Sequence, residues 1–216
     1  MRHSLLVVSL LSWGVLAWSD VSAARAAPRE PIVGLPCEGC EAVFDGKPAD
    51  IPSTTRIAPE EEPGEALRII GIVRDASGAP ASGVIVYAYH TDARGIYPPG
   101  VNSSDPEVRR HGRLRAWAKT DAQGRYQFDT IRPGSYPNSS NPQHVHMHIL
   151  EPGVCTYYID DLVFDDDPLL TAPHRRTPGR GGPGIASPAK DEAGVWIVQR
   201  DITLGRNVPG YPARSR

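Results

Sequence analysis

Short apolar runs of strand length recur along the chain between turn signals, and in two of them, residues 125–130 and 144–149, apolar and polar positions alternate with the period of two that gives a strand one buried and one polar face. Residues 67–74 (Leu-Arg-Ile-Ile-Gly-Ile-Val-Arg) and 84–90 (Val-Ile-Val-Tyr-Ala-Tyr-His) are β-branched and aromatic runs of strand length. Residues 125–130 put Tyr126 and Phe128 on one face, and further strands are expected at 144–150, 157–164 and 195–203. The tetrad Asp-Ala-x-Gly recurs at Asp75, Asp92 and Asp121, closed by Gly78, Gly95 and Gly124, and suits type I turns; Arg132-Pro133-Gly134 marks another turn. No helical stripe interrupts this series. Short strands with regular turn signals predict an all-β sandwich with long loops.

The ends of the chain depart from that pattern. Arg2 and His3, an apolar run over residues 5–18 and the small-residue stretch Ser22-Ala23-Ala24-Arg25-Ala26-Ala27 read as a signal peptide over residues 1–26, cleaved after Ala23 or Ala26. The run is shorter than the roughly 20 residues of a membrane span, and no later segment reaches that length. The expected destination is periplasmic or secreted. Residues 27–65 lack a sustained period and read as an N-terminal arm, residues 66–210 as the sandwich and 211–216 as a tail. Residues 168–193, rich in Pro, Gly and Arg, are expected as a long surface loop.

Composition supports this picture: 21 Gly and 22 Pro in 216 residues favour strands and loops without reaching the level of low-complexity disorder. With 23 Lys+Arg against 25 Asp+Glu and no basic stripe interleaved with aromatics, nucleic acid is excluded as an expected partner. Glu60-Glu61-Glu62 and Asp165-Asp166-Asp167 read as solvated loops. Export places Cys37, Cys40 and Cys155 where pairing is the default, and one must be left over. The Cys37-Glu-Gly-Cys40 spacing fits a structural disulfide, a redox pair or half a zinc site, and the missing second C-x-x-C and βαβ context favour the first.

The strongest chemical signal is His144-Val145-His146-Met147-His148-Ile149, three of the chain's seven histidines in one alternating run. On a strand the three imidazoles share one face, Val, Met and Ile take the core side, and neighbouring rings can converge on one ion. Imidazole accepts Zn, Cu, Fe and Ni, so other ligands must decide the metal. The candidates are Tyr97 and Tyr136, each in a loop at a strand end. Without such context, a tyrosine in a Gly/Pro-rich loop is usually a packing residue.

Taken together, His90-Thr-Asp-Ala-Arg-Gly-Ile-Tyr97, the run from Thr120 to Pro137, Pro142-Gln-His-Val-His146 and Phe164-Asp-Asp-Asp-Pro-Leu-Leu170 resemble the intradiol ring-cleavage dioxygenases, the protocatechuate and catechol dioxygenase family. The likeness covers residues 67 to 210. It implies a prealbumin-like or Ig-like β-sandwich holding one mononuclear non-haem Fe(III) on Tyr97, Tyr136, His144 and His146, with Tyr97 and Tyr136 in catalytic roles. It further implies that a catechol chelates the iron, that the Tyr136 phenolate leaves the metal and accepts a substrate proton, and that O2 opens the ring between the hydroxyl-bearing carbons to a muconate-type diacid. The substrate is then a small catechol, lignin- or polyphenol-derived, and a second copy of the chain is a further candidate partner. Many family members carry Arg at the position of Asn141, tend to have Gln at that of Asp161, and have a longer interval than Tyr136 to His144. Asn141 and Asp161 are therefore expected as substrate contacts, and Arg113 or Arg115 as the source of the missing positive charge. His148 has no ligand counterpart. Two other readings compete: an exported sandwich that binds a metal or phenolic ligand without turnover, and a Zn or Cu site built on His144, His146 and His148 alone.

Overall fold

The computed structural model describes residues 29–37 and 39–212, so the expected signal peptide and residues 213–216 lie outside the described residues. Eleven strands follow in chain order: β1 (Thr54–Arg56), β2 (Ala66–Arg74), β3 (Ile85–Tyr89), β4 (Arg115–Lys119), β5 (Arg125–Ile131), β6 (His144–Glu151), β7 (Cys155–Phe164), β8 (Ile185–Ala186), β9 (Ala189–Lys190), β10 (Trp196–Gln199) and β11 (Ile202–Thr203). One sheet runs β1-β5-β2-β10-β9 with β11 also on β2, and the other β4-β3-β6-β7-β8. The chain is an all-β sandwich, as the strand-length runs and turn signals predict.

The core forms where the alternating faces meet. From the first sheet come Leu67, Ile69, Tyr126, Phe128 and Val198, and from the second Val86, Ala88, Val145, Met147, Ile149 and Ile159. At about 1.5–3 kcal/mol per fully buried large apolar side chain, this cluster dominates the stability. Three of the predicted turns are built alike: the carboxylates of Asp75, Asp92 and Asp121 each accept from the backbone two and four residues on, and Asp191 makes a fourth such turn. The Asp side chain thereby imitates a backbone carbonyl and fixes the loop without tertiary help.

The arm does more than wrap. It contributes β1, parallel to β5, and a short 3₁₀ helix, Cys40–Val43. With helix α1 (Pro106–Arg110), this 3₁₀ segment covers the outer face of the second sheet, where Tyr87, Tyr89, Trp117 and Leu150 form a second cluster with Val43, Ile51 and Val108. β3 is consequently buried on both faces. The sequence reading expected no helix; α1 starts on Asp105, whose carboxylate accepts from Glu107 N–H, with Pro106 at the first helical position. It also expected one strand over 195–203, but Arg200 turns inward to four backbone carbonyls and divides β10 from β11. The expected loop over 168–193 contains the short strands β8 and β9.

Candidate metal centre

Two loops carry the tyrosines, and they pack backbone against backbone. Gly134 N–H donates to Asp92 O (2.9 Å) and Thr91 Oγ1 donates to Gly134 O (2.8 Å). Gly95 has φ +81°, and a Cβ there would land on the Ser135 carbonyl, so only glycine permits this approach. Tyr97 and Tyr136 are thereby brought to the start of β6, where His144 and His146 project on the outer face of the second sheet. Met147 and Val145 point the other way, into the core.

Four side-chain atoms converge there. Tyr97 Oη lies 2.5 Å from Tyr136 Oη and 2.8 Å from His146 Nε2. Tyr136 Oη lies 2.9 Å from His144 Nε2 and 3.1 Å from His146 Nε2, and the two Nε2 atoms are 3.2 Å apart. The outer ring nitrogens define the protonation. His144 Nδ1 faces the Pro142 carbonyl (2.7 Å) and His146 Nδ1 faces Asp161 Oδ1 (2.9 Å), and both partners only accept. In the neutral rings both Nδ1 atoms therefore carry the proton, and both Nε2 atoms aim lone pairs at one another. With the phenols protonated, Tyr97 and Tyr136 can donate to these lone pairs; with the phenols deprotonated, all four atoms are donors of electron pairs facing one point, as a cation requires. A set of two imidazoles and two oxygens fits such an ion.

Asp161 reaches His146 because of a register shift. Val145 pairs with Leu162 but Met147 with Ile159, so Asp160 and Asp161 together oppose His146 as a bulge on β7. Asp160 turns its carboxylate to Gly179 N–H, and its carbonyl accepts from Arg200, whose side chain is buried. Burial works to raise the Asp161 carboxyl, but the neighbouring His146, by charge and hydrogen bond, outweighs it and holds Asp161 below its ordinary value. Burial, with the adjacent His146, keeps His144 below the usual histidine range. Burial and the hydrogen bond with Tyr136 push the Tyr97 phenol far above its ordinary value, so without a cation it stays protonated.

A cavity of about 640 Å³ opens onto Tyr97, Tyr136, His146 and Asp161, and a second of about 470 Å³ reaches Tyr136 and His144 from the side of Asn141. Asn141 and Asp161 thus border the tetrad. Arg113 and Arg115 are placed elsewhere: Arg113 pairs with Glu62 at 2.6 Å and Arg115 with Asp45 at 3.4 Å, and neither lines these cavities. The arginine that lines the larger cavity is Arg110 of α1, paired with Glu107. Asp105-Pro106, a helix-start signal, was the sequence feature that could have placed it. His148 shares the strand face with His144 and His146 but lies under the arm, 3% exposed, with Nδ1 3.5 Å from Cys40 Sγ. Cys37 and Cys40 form a disulfide, and Cys155 is buried in the core between the sheets.

A family model described as "Dioxygenase" matches residues 43–179, more than half the chain. The protocatechuate 3,4-dioxygenase beta chain of Burkholderia cepacia is 29% identical over 164 residues, spanning 69% of this chain and 68% of that one. Chlorocatechol 1,2-dioxygenase of Rhodococcus opacus is 29% identical over 145 residues, 59% of this chain and 52% of that one. Among solved structures, the dioxygenase domain of a carbohydrate-binding fusion protein from Streptomyces sp. SirexAA-E superposes with a TM-score of 0.55 at 22% identity, covering 74% of this chain and 94% of that one. The 3-chlorocatechol 1,2-dioxygenase of Rhodococcus opacus 1CP gives 0.55 at 23% identity, covering 75% and 68%. These two likenesses show the fold.

Proposed function

Since the chain belongs to the intradiol ring-cleavage dioxygenases, a family of oxidoreductases, we propose that it uses O2 to open the ring of a catechol between its two hydroxyl-bearing carbons. The observation that carries this reading is the convergence of Tyr97 Oη, Tyr136 Oη, His144 Nε2 and His146 Nε2 on one point, with both imidazoles oriented by acceptors on their far nitrogens. These four residues hold a mononuclear iron in the ferric state, which two phenolates favour because anionic oxygen donors suit a hard trivalent ion. When bound, the iron supplies the Lewis acidity that deprotonates coordinating phenols and activates a chelated catechol toward O2.

The remaining work belongs to the chain. Asp161 and the Pro142 carbonyl keep both Nε2 lone pairs inward. The larger cavity admits a substituted phenyl ring beside Tyr97 and Tyr136. Tyr136, in hydrogen-bond reach of both histidines, takes a proton from an incoming catechol hydroxyl at its Oη. Arg110 and Glu107 at the cavity wall, with Asn141 on the other side, contact the ring substituents. The residues 1–26 pattern supports export, so the mature chain begins at Ala24 or Ala27, which amino-terminal sequencing of secreted protein checks.

The test is oxygen uptake by iron-loaded protein given catechol, with product mass. The proposal requires one O2 consumed per catechol and a diacid carrying both atoms. Catechol binding without oxygen uptake would instead identify a binding module.

A further inference from the structure

We propose that the Cys37–Cys40 disulfide is a second reactive site of this chain, exchanging with an external dithiol, and that its state sets the affinity of the adjoining cavity for catechol. The second half rests on the catechol reading above; the first half does not.

The bridge is a poor staple. Its sequence separation is 3, and so short a ring removes little entropy from the unfolded chain. Its two sulfurs are also placed unequally. Cys37 is half-buried, whereas Cys40 is 1% exposed and packed beneath the arm. An incoming thiolate therefore meets Cys37 first, with Cys40 as the leaving sulfur. Cys40 Sγ lies 3.5 Å from His148 Nδ1, and because a disulfide sulfur carries no proton, a hydrogen bond there is donated by Nδ1–H, in the tautomer that carries its proton on Nδ1. The same N–H is in position to stabilise the departing Cys40 thiolate.

The exchange balances as a two-electron transfer. One thiolate of the dithiol attacks Cys37 Sγ, the Cys37–Cys40 bond breaks and Cys40 leaves as a thiolate that takes up a proton. The second thiol of the reagent then attacks its own sulfur in the mixed disulfide and releases Cys37 as a thiol. The dithiol ends oxidised to a disulfide and the protein ends with two thiols.

Two contacts tie this loop to the cavity. Pro36, next to Cys37, and His148 both line the cavity that opens on Tyr97, Tyr136 and His146. Gly39, between the cysteines with φ +72°, lies so close to His111 that a Cβ would overlap the ring. His111 stacks on Tyr89 with centroids 3.6 Å apart, and Tyr89 on His146 at 4.6 Å. Opening the bridge releases the segment that presses this stack, so the cavity wall loosens without loss of the sandwich core.

The full mature chain is equilibrated with dithiothreitol over a range of reduced-to-oxidised ratios, alkylated without denaturant and weighed. The same samples are followed by near-ultraviolet circular dichroism and titrated with catechol by tryptophan fluorescence. The expected result is that Cys37 and Cys40 become alkylated together with the fold retained, and that the catechol Kd rises about tenfold, within the range typical of coupled sites. Bound catechol then protects the disulfide by the same factor. A Cys37→Ser/Cys40→Ser variant, or Cys37→Ser alone should the double change unfold, keeps the weaker Kd at every dithiothreitol ratio. Alkylation only after unfolding overturns the exchange site, and an unchanged Kd overturns the coupling. If neither form binds catechol, the substrate reading and the coupling fall together, while alkylation still decides the exchange site.

Discussion

Replacing Asp161 with alanine isolates the device that orients the metal ligands. Asp161 Oδ1 accepts from His146 Nδ1 at 2.9 Å, and the β7 bulge exists where that contact is made. Without the carboxylate the His146 ring is free to move its proton to Nε2, which then points an N–H at the place where a lone pair is needed. Loss of such an outer-shell partner costs roughly 10–100-fold in metal affinity, or about 1.4–2.7 kcal/mol. The side chain is partly exposed, so deletion leaves little cavity and the unfolding free energy should change by less than about 1 kcal/mol. Asp161→Asn keeps a carbonyl acceptor and loses only charge, so it should fall between wild type and alanine. The assay is iron affinity by competition with a chelator at pH 7, with urea unfolding as the control. An alanine variant that holds iron as tightly as wild type would refute the orientation argument.

Other expectations concern the scaffold. Gly95→Ala forces a side chain onto the Ser135 carbonyl at a positive φ and should cost more than about 2 kcal/mol, with iron retention lost in parallel. Gly78→Ala, at a similar φ of +90° with open space around it, should cost about 1 kcal/mol, so urea unfolding of the two separates contact from backbone strain. Burial lowers His90 to about 4 and His111 to about 3, so both stay neutral in the folded chain while the unfolded chain protonates them below about pH 6.5. The unfolded state then binds more protons, and stability should fall as pH drops from 6.5 toward 4, by up to about 2.7 kcal/mol per pH unit for the pair. Unfolding free energies equal at pH 7 and pH 5 would contradict that burial.

How much of this was legible in the sequence varies by element. β5 and β6 followed from alternation, whereas β2 and β3 were read from β-branched and aromatic runs of strand length, and β3, buried on both faces, has no polar face to alternate with. β4 was passed over, since its Arg115-Ala-Trp-Ala-Lys pattern fills the core with small alanines and turns Trp117 to the second cluster, which gives no apolar run. The burial of Arg200 has no local signal at all, because its partners are carbonyls brought from residues 160, 180 and 181. At the site, alternation placed His144 and His146 on one face, but the tyrosines were no more than candidates in loops at strand ends until the resemblance gave them a context. His148 lies on that face too, yet its surroundings depend on the arm, which has no periodicity to read. Arg113 and Arg115 looked suitable by charge and proximity in sequence, and both are spent on Glu62 and Asp45.

The central claim is that two tyrosines and two histidines hold one ferric ion, and Tyr97→Phe and Tyr136→Phe test it most directly. Each removes one oxygen and leaves the ring packing in place. Iron content and the visible spectrum of wild type and both variants should be compared before and after adding catechol in air. The account predicts a broad visible band in wild type that shifts with catechol, with the band weakened in each variant and iron content reduced. Unchanged iron and an unchanged band in both variants would contradict the tyrosine ligands and return the site to the histidines alone.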